Sequence, residues 1–292
     1  MPDINLVSIS PSQMIGSGES GPYDVSMFER KYLAQGDSWF SIGHIPPWST
    51  TNLLQQMVLS RSAVAVNCAR PGVELSHMTD TSTSQVFLNL LNGHIAWKWD
   101  AILMSGGGND LIDAANTDPS QDPDVRVLLR ADEWQASAPA PGRYVSESGW
   151  NTFTSHMEDV LKLLLDQRDK GINKGVPLLL HTYDHVTPRN APAGPHLGPW
   201  LYKAMNDQYQ VPPSDWNSLA DALIDGLATM WLALAAKYSD QQITIVDSRG
   251  STVRAVAGTS GMSNDWENEI HPTPQGYGKL DGGWRSALDA LG

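Results

Sequence analysis

Five short apolar runs, at residues 31–35, 63–67, 100–105, 176–180 and 242–246, constrain this chain more than any other feature. Each is too short for a buried helix, and most are separated by segments with helical spacing of apolar residues. Short, continuously apolar strands alternating with helices predict a parallel sheet covered on both faces. The expected architecture is therefore α/β, a three-layer α/β/α sandwich around a central, mostly parallel five-stranded sheet. Helices are expected at about 50–59, at 84–91, through Phe153, Met157, Val160, Leu161 and Leu164 with Gly171 as the stop, and from a Ser214 cap through Leu234. A last helix is expected between Thr273 and Leu291, broken at Gly282-Gly283. Residues 1–28, rich in Ser, Gly and Pro, read as an extended arm, and 29–292 as one domain, with no internal repeat. Residues 112–144 and 188–199 read as long surface excursions.

Composition narrows the function classes. Apolar residues make up 41% and charged residues 17%, which is the balance of a globular protein. The formal net charge is -13 with no run of Lys or Arg, so nucleic acid is not an expected partner. Cys68 is the only cysteine, which excludes an intrachain disulfide and any cysteine-based metal cluster. His181, Asp184 and His185 lack the spacing of a zinc site and are expected in a local hydrogen-bond network, so no metal and no cofactor are expected. Gly106-Gly107-Gly108 lacks the remainder of a phosphate loop. No run approaches 18 continuous apolar residues, and no membrane span is expected. The first residues do not read as a secretory leader, so the expected location is the cytoplasm, or outside the cell if a leader has been removed.

Ligands of open parallel sheets bind outside the carboxyl ends of the strands. Gly36-Asp37-Ser38, Gly107–Asp110, His181–His185 and Asp247 onward all follow expected strands, so they converge on one edge. Ser38, at a tight strand-end turn, is a candidate nucleophile, but a serine alcohol needs a base to take its proton.

With its companions, this turn resembles the first block of the SGNH, or GDSL-type, hydrolase family, whose sheet is flavodoxin-like. Asn67-Cys68-Ala69-Arg70-Pro71-Gly72 resembles the second block, Gly107-Gly108-Asn109-Asp110 the third, and His271 in Asn268-Glu269-Ile270-His271-Pro272 the position of the base. The resemblance spans almost the whole chain. It implies carboxylic ester hydrolysis through an acyl-enzyme at Ser38, with His271 as general acid and base. It also implies an oxyanion hole from the N–H groups of Ser38 and Gly72 and the Asn109 amide. The chain departs from the family pattern at Asn268, where an aspartate is expected three residues before the histidine. An amide can still orient the ring, and Asp265, Glu267 and Glu269 are nearby alternatives. Trp39, Tyr183, His185, Trp200 and Trp266 are candidate substrate contacts, with packing as the rival role for each. The expected substrate is a small-molecule or glycan ester. Acyl transfer by the same residues and noncatalytic carbohydrate binding through the 11 tryptophans are the alternatives.

Overall fold

The computed structural model describes residues 3–16, 22–41, 51–135 and 137–291. Its strands are β1 (Ile4–Asn5), β2 (Val7–Ile9), β3 (Arg30–Gly36), β4 (Val58–Leu59), β5 (Ala63–Asn67), β6 (Ala101–Ser105), β7 (Leu178–His181) and β8 (Ile243–Val246). Six form one sheet in the order β2-β5-β3-β6-β7-β8, parallel throughout, while β1 and β4 make a small antiparallel pair. The five expected strands are all present, and the sheet gains a sixth, β2, from the segment expected to be an arm. Val7–Ile9 add to the free edge of β5, satisfying backbone groups that would otherwise face solvent.

Residues of β3, β5, β6 and β7 are almost wholly buried, which is why their sequences carry no polar alternation. Helices Gln85–Leu91, Glu147–Asp169 and Trp216–Lys237 cover one face, where Trp150 lies against Gly226, and Pro274–Asp289 covers the other with the turn Leu53–Gln56. The helix Trp216–Lys237 contains a window of mean hydropathy 1.5, long and apolar enough to span a bilayer by composition. Half of that window is buried, and Leu219, Leu223, Leu227 and Trp231 pack into the core with at most 1% exposure.

Several local expectations change. The helix expected at 50–59, whose first residue lies outside the described residues, shortens to Leu53–Gln56, capped by Asn52. Val58–Leu59 leaves it to pair with β1, so the apolar spacing serves a turn and a strand. Ser214 does not cap the long helix. The chain enters through a tight turn, Pro213–Asp215, and Ser214 Oγ instead donates to the Asp215 carboxylate at 3.2 Å. The last helix runs unbroken through Gly282-Gly283. A Cβ on Gly283 would sit 3.0 Å from Val246 Cγ1, so this glycine brings the helix close to β8.

The chain passes from β3 to β5 on one side of the sheet, then crosses to β6 on the other. The carboxyl end of β3 is thus a topological switch point, where ligand sites form in such sheets.

Candidate active site

β3 ends at Gly36, where the chain turns sharply into the short helix Ser38–Ser41. Gly36 faces Ser105 of β6 so closely that a Cβ would lie 2.8 Å from Ser105 Cβ, and only glycine fits. The Asp37 N–H donates to the Ser105 carbonyl at 3.0 Å, and Asp37 Oδ1 accepts from the Trp39 N–H at 2.9 Å. These bonds fix the turn and present Ser38 at its crest.

Ser38 Oγ lies 2.7 Å from His271 Nε2, although the two residues stand 233 positions apart. On the far side of the ring, Nδ1 lies 3.1 Å from Asn268 Oδ1. That same amide oxygen accepts the N–H groups of Ile270 at 3.1 Å and His271 at 3.0 Å. An oxygen already facing two donors requires Nδ1 to carry the proton, leaving Nε2 free to accept from Ser38. This is the tautomer a general base needs. Burial pushes the His271 pKa down to about 4, so the ring is neutral at pH 7.

The neighbouring carboxylates are engaged elsewhere. Asp265 Oδ2 accepts from Lys279 Nζ at 2.6 Å and from the Val253 N–H at 2.5 Å. Glu269 is buried and accepts from the backbone N–H groups of Trp200, Tyr202 (2.6 Å) and Arg189 (3.3 Å). Burial raises its pKa to about 7, against those three bonds and the charge of Arg189. Arg189 holds the base loop from behind, donating to the Asn268 carbonyl at 2.6 Å. Trp39 closes the arrangement, its Nε1–H donating to the Ile270 carbonyl at 3.1 Å.

Asn109 lies in the first turn of the helix Gly108–Ala115, which opens at Gly107 in the left-handed region (φ 97°). It lines a cavity together with Ser38, and its Nδ2 donates to the Val73 carbonyl at 3.2 Å. Gly72, the residue before Val73, occupies an exposed left-handed turn (φ 70°) and does not line that cavity. The Asp110 carboxylate accepts the Leu75 N–H and ties the segment after Gly72 to the Asn109 helix.

A second serine, histidine and aspartate lie behind Ser38. His181 Nε2 is 2.9 Å from Ser105 Oγ, and Ser105 Oγ is 2.7 Å from Asp37 Oδ1. The Tyr183 N–H donates to His181 Nδ1 at 3.3 Å, so the ring proton sits on Nε2 and points at Ser105. The Ser105 hydroxyl must then give its own proton to Asp37, and His181 cannot act as its base. Burial lowers the His181 pKa to about 3. Asp37 is pushed up to about 6 by burial, against bonds from Tyr183 (2.6 Å), Ser105 and Trp39. Ser105 has no exposure at all. This buried triad supports the turn that carries Ser38.

Of the aromatic candidates, Trp39 and Tyr183 line the Ser38 cavity, and Trp200 packs edge-on against His271 with centroids 5.6 Å apart. His185 turns away to pair with Asp225 at 3.0 Å. Trp266 is fully buried against Trp39. Trp200, His185 and Trp266 do not line the cavity. Its remaining walls are apolar and include Leu111, Ile112, Val186, Leu201, Ile224 and Ile270.

No protein-family model matches the chain, and no curated protein matches it. Solved structures do. The chain is similar to a Chitinophaga pinensis protein described as a possible lipase, with a TM-score of 0.52 and 11% identity over 90% of this chain and 99% of that one. It is also similar to a carbohydrate acetylesterase from Sinorhizobium meliloti, with a TM-score of 0.50 and 12% identity over 90% of this chain and 100% of that one. These likenesses establish the fold, an α/β arrangement with a central parallel sheet flanked by helices.

Sequence reasoning did not single out Ser105 or Arg189, and it weighed Asp37 only as part of the Ser38 turn. Ser105 carries one signal, a polar residue closing a run of otherwise apolar strand residues. Its partners depend on which strands become neighbours, and nothing local encodes that.

Proposed function

We propose that the chain is a serine-dependent carboxylic ester hydrolase of the SGNH, GDSL-type, kind. One observation carries this reading: Ser38 Oγ is 2.7 Å from the unprotonated nitrogen of a histidine whose other nitrogen is held by Asn268. Ser38 Oγ attacks the ester carbonyl carbon while its proton passes to His271 Nε2. The carbonyl oxygen becomes an oxyanion, stabilised by the Ser38 N–H and the Asn109 amide, two residues that line the same cavity. As the intermediate collapses, the carbon–oxygen bond to the alcohol breaks, and His271 gives its proton to the leaving oxygen. Water then attacks the acyl-Ser38 carbonyl, losing a proton to His271. Release of the acid returns that proton to Ser38.

The substrate is a small-molecule or glycan ester, a class that includes the substrates named for the acetylesterase sharing this fold. A serine-directed fluorophosphonate, together with p-nitrophenyl acetate, butyrate and octanoate, tests the activity. Labelling and turnover are expected in the parent protein, and both are lost in Ser38→Ala. Turnover of none of the three esters, with no label at Ser38, would overturn the proposal.

A further inference from the structure

We propose that the cavity beside Ser38 is an acyl pocket for straight, uncharged acyl groups of about two to four carbons, a reading that rests on the hydrolase assignment above. The cavity measures about 40 Å³. On the same scale one water needs roughly 10–15 Å³, and a cavity of about 150 Å³ admits benzene. The cavity thus has room for about three or four heavy atoms. A butyryl tail fits this space, whereas an aromatic acid or a fatty acyl chain does not.

The walls explain both the size and the chemistry. Leu111 and Ile112 come from the helix that carries Asn109, Ile224 from Trp216–Lys237, and Val186 and Leu201 from the loops that follow β7. Leu111, Val186, Leu201 and Ile224 are all nearly buried, so packing beneath them resists widening. The Tyr183 ring closes another side, where a Cβ on Gly108 would lie 2.7 Å from Tyr183 Cζ. Asp37 is the only ionisable acid among the described lining residues, and both its oxygens are already bonded, to Trp39 and Ser105 and to Tyr183. Among the described residues, no cation lines the cavity to hold an anionic acyl group.

The test compares kcat/KM for p-nitrophenyl acetate, butyrate, hexanoate and octanoate in the parent, Ile224→Ala and Ile112→Ala. A methylene that fits or misfits an apolar pocket changes kcat/KM by about tenfold or more. The parent is expected to hydrolyse butyrate at least about tenfold faster than acetate and to lose at least about tenfold from butyrate to octanoate. Ile224→Ala removes three side-chain carbons from the wall and should raise the octanoate-to-butyrate ratio at least about tenfold. Ile112, only partly buried, gives a second variant whose fold is less at risk, with the same direction expected. Octanoate turned over as well as butyrate by the parent overturns the pocket proposal, as do unchanged ratios in folded variants. Either result, combined with fluorophosphonate labelling of Ser38, leaves the hydrolase reading intact. Absence of both turnover and label removes the hydrolase reading first.

Discussion

Replacing Asn268 with aspartate tests the least usual feature of the site. The amide oxygen sits 3.1 Å from His271 Nδ1, which places a substituted carboxylate roughly 4–5 Å from the centre of the imidazolium formed during attack. At an effective dielectric of about 20, that pair is worth about 3–4 kcal/mol. Applied to the His271 equilibrium, this is a rise of about 2–3 pKa units, from about 4 towards about 6–7. The new carboxylate inherits three N–H donors, from Ile270, His271 and the ring itself, and these favour its ionised form. The base works only when neutral, so activity is lost as pH falls through its pKa. The acid limb of kcat/KM should therefore move from near pH 4 in the parent to about pH 6–7 in Asn268→Asp. If half of the interaction is expressed in the transition state, kcat at pH 8 rises about tenfold. The assay is a pH–rate profile on p-nitrophenyl acetate between pH 3 and 9, with Asn268→Ala as control. An unmoved limb together with an unchanged or lower kcat would refute the reasoning that a charge at position 268 stabilises the imidazolium.

Ser105→Ala separates the two serine–histidine pairs. It should leave Ser38 labelling in place and cost about 1–3 kcal/mol of stability, read by urea unfolding, because Asp37 and His181 each lose a buried partner. Ser38→Ala, in contrast, should lower kcat by about 10⁴-fold or more. Asn109→Ala should lower kcat about a hundredfold with little change in KM, as expected for a donor that matters mainly in the transition state. Glu269 has a raised pKa in the folded protein, so its contribution to stability is fully present below its unfolded pKa and lost as pH rises through about 7. Glu269→Gln should flatten the fall of Tm between pH 4.5 and 7.5 by a few degrees, measured by calorimetry.

The sheet was legible because its strands are buried on both faces, and a run such as Ala101–Ser105 admits little else. β2 was hidden because three residues in a Ser- and Pro-rich segment carry no periodicity, and only the unpaired edge of β5 makes them a strand. Gly282-Gly283 reads as a break by helix propensity, yet tertiary packing decides, since β8 needs Gly283 bare. The placement of Ser38 beside His271, and of Asn109 on the Ser38 cavity, was legible because their sequence blocks follow one another in a recognisable order. Aromatic residues in loops offered no such discrimination. Trp266 and Trp39 look alike in sequence, but only Trp39 reaches the cavity, because Trp266 pairs backbone with Ser263 and Pro272 and turns into the core.

The alignment of Ser38 with His271 depends on residues that touch neither reacting atom. The β3–β6 register puts Ser105 beside Gly36, Ser105 holds the Asp37 carboxylate, and that carboxylate holds the Trp39 N–H. The Trp39 indole then reaches across to the Ile270 carbonyl, next to the base. Trp39 is therefore more than an aromatic wall, since it is bonded at its backbone to the nucleophile turn and at its ring to the base loop. Arg189 and Glu269 hold the opposite side of the same loop, through the Asn268 carbonyl and the N–H of Trp200. A misplacement of about 1 Å costs a catalytic pair about a hundredfold in rate, so these supports matter as much as the pair itself. With an uncharged amide behind the base, fixed geometry replaces part of what a carboxylate would contribute by charge.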